Sequence, residues 1–245
     1  MDLALESVTG NEHLAYETGG WLTCRLPRPD WAHKDAEELL AMSLEPRRGN
    51  LRCVLAGGLP ILVGELRAED GYPPLDEARE RFAKLPAKDA EVAGAPSEID
   101  VECCLAETGL AWTRKDGEHA WRALANGPRA MRCDLKAEIQ GNGVEVSAEL
   151  AAYEEPLEGS ARCALAWFLV TASSRLRFVR LLLGDHAVRA ASFAASDRLE
   201  IELHDSVAAV VSAYGLLWRE TRALLRAGVA RAFLAARESS RDAGS

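Results

Sequence analysis

The 245-residue sequence predicts an α+β fold made of two related units of antiparallel sheet packed against helices, the N-terminal unit shortened. Three observations carry this. Strict alternation of apolar and polar residues flanks Gly141-Asn142-Gly143, the pattern of a half-buried hairpin. Apolar residues recur at three- and four-residue steps over Cys163–Thr171 and Val207–Leu225, the pattern of amphipathic helices. A shortened version of the same element order precedes the proline-bracketed stretch Pro86–Pro96, which lacks apolar periodicity and suits an exposed linker. The expected division is a shortened unit over 1–85 and a complete unit with a long C-terminal helix over 97–237.

In the second unit, Ser97 opens a helix with Asp100 three residues on, approximating a capping box; Ile99, Cys103 and Cys104 supply its helical spacing and Gly109 its stop. A short strand is expected within Arg114–Ala125. Met131, Cys133, Leu135, Ala137 and Ile139 then alternate with charged residues. After the Gly-Asn-Gly turn, Val144, Val146, Ala148 and Leu150 alternate with Glu145, Ser147 and Glu149. A period of two buries the first members and leaves the others in water. Ser160 is placed to cap the next helix, whose apolar face holds Cys163, Ala164, Trp167, Phe168 and Thr171. Strands follow at Arg177–Leu183 and Ala187–Ala195, then a long helix. Leu199, Ile201 and Leu203 fit either a strand or the first turns of that helix. Gly228 ends or bends it, and Ser239–Ser245 is expected to be disordered.

In the first unit, Leu3–Val8 and Trp21–Leu26 are strand candidates, Asp35–Leu44 a helix ended by Pro46, and Leu51–Ala56 with Ile61–Leu66 a second hairpin. Leu75–Leu85 is a short amphipathic helix. Sliding the halves by 127 positions pairs Gly57 with Gly184, Ile61 with Val188 and Leu66 with Phe193 (184 less 57, and so on).

Composition narrows function. Hydrophobic residues at 48% and charged residues at 27% suit a globular chain, and no apolar run approaches the ~18 residues of a membrane span. The N-terminus lacks a secretory pattern, so a cytoplasmic chain is expected. A net charge of −9 argues against nucleic acid as partner. With 29 basic residues of which only five are lysine, arginine richness is a compositional bias. Charge is uneven, however: Arg132–Glu158 is acidic, whereas Leu216–Arg237 holds five arginines and one glutamate, so an acidic sheet face and a basic helix could each meet a complementary patch.

The stretch Leu105–Leu110, the hairpin Met131–Leu150, the apolar helix Cys163–Val170, the strand pair Phe178–Phe193 and the helix Asp205–Leu225 follow one another as helix, three strands, helix, two strands and long helix. This order resembles the type III secretion chaperone-like fold, and within it the bacterial putative sensory-transduction-regulator family. Residues 1–85 look like a degenerate copy lacking the first helix and a strand. The resemblance implies a small module that binds protein segments without catalysis. Chaperones of this fold hold an extended stretch of partner as dimers, so here a homodimer, or the two halves as a pseudo-dimer within one chain, is the corresponding expectation.

Reactive motifs are scarce. None of the five histidines has metal spacing, the cysteines show no CxxC, and no nucleophile elbow occurs, so no metal, cofactor or catalytic residue is assigned. The alternative to a protein-binding module is a small-ligand binder or hydrolase-like enzyme assembled around His186 or His204, each beside an aspartate. Cys103-Cys104 is a vicinal pair with one member in the core. Trp167 and Trp218 lie on apolar helix faces as core residues. Trp21, Trp31, Trp112 and Trp121 sit near element ends, where an amphipathic ring borders an interface, and are the candidate partner-binding residues.

Overall fold

The structure is a computed structural model that describes residues 6–8, 12–17, 21–42, 50–56, 58–67, 94–114, 118–127, 131–154 and 156–242. The expected helix at Leu75–Leu85 and most of the linker lie outside these residues. The described chain is α+β, with two antiparallel sheets.

The N-terminal sheet comprises β1 (Glu6–Val8), β2 (Glu12–Glu17), β3 (Trp21–Pro27), β4 (Arg52–Ala56) and β5 (Leu59–Arg67), in the order β1-β2-β3-β5-β4. Helix α1 (Ala36–Ala41) lies between β3 and β4 in sequence. A full capping box starts α1: the Asp35 carboxylate accepts from the Glu38 amide and Glu38 accepts from the Asp35 amide. β2 was not anticipated from the sequence.

The C-terminal unit opens with α2 (Glu98–Glu107), capped by Ser97, whose hydroxyl accepts from the Asp100 amide at 3.1 Å. Strands β6 (Thr113–Arg114), β7 (Ala120–Gly127), β8 (Met131–Gln140) and β9 (Gly143–Ala152) follow, then α3 (Gly159–Ser173), β10 (Arg180–Leu183), β11 (Ala187–Ala195), α4 (Leu199–Leu224) and α5 (Ala227–Asp242). The sheet order is β10-β11-β9-β8-β7-β6. The hairpin forms as its alternation requires, Leu135 opposite Ala148 and Ile139 opposite Val144, with Gly141 supplying a φ of 58° in the turn.

Several local expectations change. The buried face of α2 is Val101, Cys104 and Leu105, whereas Ile99 is 73% exposed, because α2 docks on α4 through one stripe only. α3 begins at Gly159, so Ser160 lies inside its first turn and caps nothing. Leu199–Leu203 is helical, since the strand before it has already ended at Ala195. The break between the last helices falls at Leu225-Arg226, ahead of Gly228, and α5 continues to Asp242 rather than ending in a disordered tail from Ser239. Glu145 and Ser147, assigned to water, are buried.

The two sheets share one plan. Strands β1, β2, β3, β5, β4 of the first occupy the places of β7, β8, β9, β11, β10 in the second, with α1 and α3 in the same connection. A shift of 128 positions (180 less 52) superposes their hairpins, Arg52↔Val63 on Arg180↔Ala191. The 127-residue alignment is therefore one residue out, and because strand side chains alternate, that slip exchanges inner and outer faces. Corrected, it pairs Arg52 with Arg180, both buried, and Asn50 with Phe178, among the described residues the two non-glycines at positive φ (47° and 53°).

Contacts between the units are reciprocal. α1 packs on α3, α3 on β4, and α1 on β10, so each unit's helix covers the other's edge strand. Glu37 of α1 meets Arg162 of α3 at 2.6 Å. The Asn50 side chain pairs with the backbone of Phe193, donating to its carbonyl (3.1 Å) and accepting from its amide (2.7 Å), so it replaces a strand partner where β10 has not yet begun. Correspondingly, the Phe178 amide donates to the carboxylate of Glu65, which stands in the N-terminal sheet where Phe193 stands in the other. Arg52, held by Glu65 at 2.8 Å, also donates to the Leu176 carbonyl at 2.5 Å. Ala36, Leu39, Leu40 and Cys53 accordingly belong to the same apolar core as the C-terminal unit.

Candidate functional site

The larger sheet is not closed along its length. β8 pairs with β7 from Glu138 down to Met131, and β9 pairs with β11 through Ala152. The ladder between β8 and β9, however, stops at Leu135↔Ala148. Met131–Asp134 and Glu149–Ala152 are therefore not paired with one another, and the sheet splits.

Two local causes act together. The β9–β11 register shifts between Val188 and Arg189, leaving Leu150 as the extra residue of a bulge, which bends and over-twists its strand. Helix α4 then props the other side. Met131 packs against Gly215, where a Cβ would sit 3.2 Å from its sulfur. From the end of α4, the Arg222 Nε donates to the Leu150 carbonyl at 3.2 Å, satisfying a backbone acceptor in the bulge.

The split opens into a cleft of about 720 Å³. Leu135, Ala148 and Tyr214 contribute to its lining, and burial raises the Tyr214 phenol above its usual pKa, which keeps it a neutral hydroxyl. Four cations line the cleft: Arg122 of β7, Lys136 of β8, Arg189 of β11 and Arg222 of α4. They stand against two carboxylates, Asp134 and Glu149. Lys136 is committed to Glu138 at 2.7 Å, an interaction that holds the Glu138 carboxyl below the ordinary range. Among the described residues, Arg122 and Arg189 form no ion pair. The acidic hairpin and the basic helix that stand apart in the sequence thus meet at one cleft.

Behind it, Trp218 stacks on Tyr214 at 6.2 Å with an interplanar angle of 11°, and the guanidinium of Arg222 lies 5.2 Å from the Trp218 ring centroid. Trp218 is half-buried: it packs against the apolar core, as its helix face predicts, and also supports the cleft. The signal was available in the spacing, since Arg222 follows Trp218 by one helical turn.

The four candidate tryptophans do not converge on this cleft. Trp121 is 2% exposed, a core residue whose indole donates to Glu102 at 3.2 Å, so it offers no partner-binding surface. Its position at a strand start misled because α2 covers that end of the sheet. Trp112 is half-buried with its indole donating to Thr108 at 2.9 Å, and Trp31 is half-buried with the guanidinium of Arg28 4.0 Å over its ring. Trp21 lies in β3, paired with Glu17 and Arg67. His186 and His204 are exposed, and neither lines the cleft. Of the vicinal cysteines, Cys104 is buried and Cys103 exposed.

Among the described residues, no helix is long and apolar enough to cross a membrane. Compared with known proteins, the chain matches no family model, no curated sequence and no solved structure.

Proposed function

We propose that this chain is a non-enzymatic protein-binding module, chaperone- or regulator-like, in which two related units form a pseudo-dimer and the split sheet seats an extended stretch of a partner protein. The observation that carries the reading is the ladder between β8 and β9 ending at Leu135↔Ala148 while both strands continue. Unpaired strand edges are the elements that extended peptides recognise, main-chain hydrogen bonds giving affinity and flanking side chains giving selectivity. Reciprocal packing of α1, α3, β4 and β10 supports the pseudo-dimer. The six cysteines, none of them joined in a disulfide among the described residues, fit a reducing compartment such as the cytoplasm.

Selection from a displayed library of random peptides, followed by amide hydrogen exchange on the complex, tests this. Slowed exchange at Met131–Asp134 and Glu149–Ala152 on binding is the expected result. No enrichment over a blank, or protection confined to other parts of the chain, removes the proposal.

A further inference from the structure

We infer that the split sheet selects acidic segments and that Arg222 is the anchor for their carboxylates, an inference that rests on the docking proposed above. With Lys136 held by Glu138, the cleft carries three arginines against two carboxylates within a chain of net charge −9, so its local sign opposes that of the whole molecule. An acidic segment is thereby drawn to this cleft and repelled from the remaining surface.

Arg222 is placed to be the anchor rather than one cation among several. Its Nε donates to the Leu150 carbonyl, and its guanidinium carbon lies 5.2 Å from the ring centroid of Trp218, which itself stacks on Tyr214. A guanidinium fixed in this way loses little rotamer freedom on binding, and its two Nη groups remain to donate to both oxygens of a carboxylate. Arg122 and Arg189 sit on strands on opposite sides of the split, positioned to meet acidic side chains farther along the segment. Asp134 and Glu149 lie on the two strands that flank the opening and repel an acidic occupant, a penalty that the surrounding cations must outweigh.

The carboxylates recognised are those of Asp or Glu side chains; a chain's C-terminus is the competing source. Fluorescence anisotropy on the full chain separates the two with three labelled peptides: an amidated alternating Glu-Val peptide, its Lys-Val counterpart, and a Gln-Val peptide with a free C-terminus. The Glu-Val peptide should bind about tenfold more tightly than the Lys-Val one. It should also weaken as salt rises through the range where the screening length contracts. Arg222→Gln should cost the Glu-Val peptide roughly tenfold or more in affinity, as loss of a charge-assisted hydrogen bond does. If the Gln-Val free acid binds as tightly as Glu-Val and loses as much in Arg222→Gln, the chain terminus is the carboxylate recognised and the selection of acidic segments is overturned.

Because Arg222 also holds Leu150, a gain-of-affinity variant guards against misfolding. Asp134→Asn with Glu149→Gln should tighten the Glu-Val peptide by about threefold and leave the fold intact. Equal or better binding of the Lys-Val peptide, or Glu-Val affinity unmoved by both sets of substitutions, overturns the inference. Library peptides that protect the split yet are not acidic overturn the charge preference while leaving the docking reading in place.

Discussion

Glu65→Ala tests most directly whether the two units are one cooperative structure. The Glu65 carboxylate is 4% exposed and pairs with Arg52, 3% exposed, at 2.8 and 2.9 Å. It also accepts the Phe178 amide from the other unit. Removing it leaves a buried guanidinium without its counter-charge, a defect that costs about 3–5 kcal/mol. Arg52 keeps the Leu176 carbonyl at 2.5 Å, which places the pair at the lower end of that range. The orphaned Phe178 amide adds roughly 1 kcal/mol to that cost, about 4 kcal/mol in all. At about 2–4 °C per kcal/mol for a chain of this size, the melting temperature should fall by roughly 8–16 °C in calorimetry. Replacing both partners, Arg52→Leu with Glu65→Leu, removes the stranded charge and should cost less than Glu65→Ala alone. A shift below about 1 kcal/mol for Glu65→Ala, or a double variant at least as damaging as the single, refutes the claim that this buried pair clamps the units.

Two further outcomes follow from the titratable groups. Burial pushes the Cys53 thiol up to about 11 and the Cys133 thiol up to about 12, while Cys103 is exposed, so a neutral aromatic disulfide at pH 8 should label Cys103 rapidly. Cys103→Ser should abolish that fast phase, and comparably fast labelling of Cys53 or Cys133 would contradict their burial. Glu98 is held below the ordinary carboxylate value first by Arg114 and then by His119, so its contribution is complete above about pH 4.3 and is lost as pH falls through its lowered folded value. Carboxyl carbon NMR should show the depressed midpoint, moved upward more by Arg114→Ala than by His119→Ala; the reverse order would assign the cause wrongly.

The cleft was half legible in the sequence. Acidic excess over Arg132–Glu158 and the arginines after Leu216 marked the two surfaces that supply Asp134, Glu149 and Arg222. Arg122 and Arg189 gave no signal, because each is an ordinary polar position in an alternating strand and only sheet order brings them together. Trp121 illustrates the converse error: its place near a strand start suggested an interface, but burial depends on what covers the strand, and α2 does so through Glu102.

Alternation around Gly141-Asn142-Gly143 determined the central hairpin, and helical spacing determined α3 and α4, because both periods are properties of the local backbone. Local periodicity likewise sufficed for the α+β class and for the presence of two similarly ordered units. Tertiary structure decided what neighbours do to each other across the chain. Arg52, Glu65, Glu145 and Arg180 are charged and look solvated in sequence, yet they are buried because a partner on another strand compensates each one. It also decided the 128-residue register and the opening between β8 and β9, since a bulge at Leu150 and a helix end carrying Arg222 act there from segments about 70 residues apart, a separation over which no local period carries information.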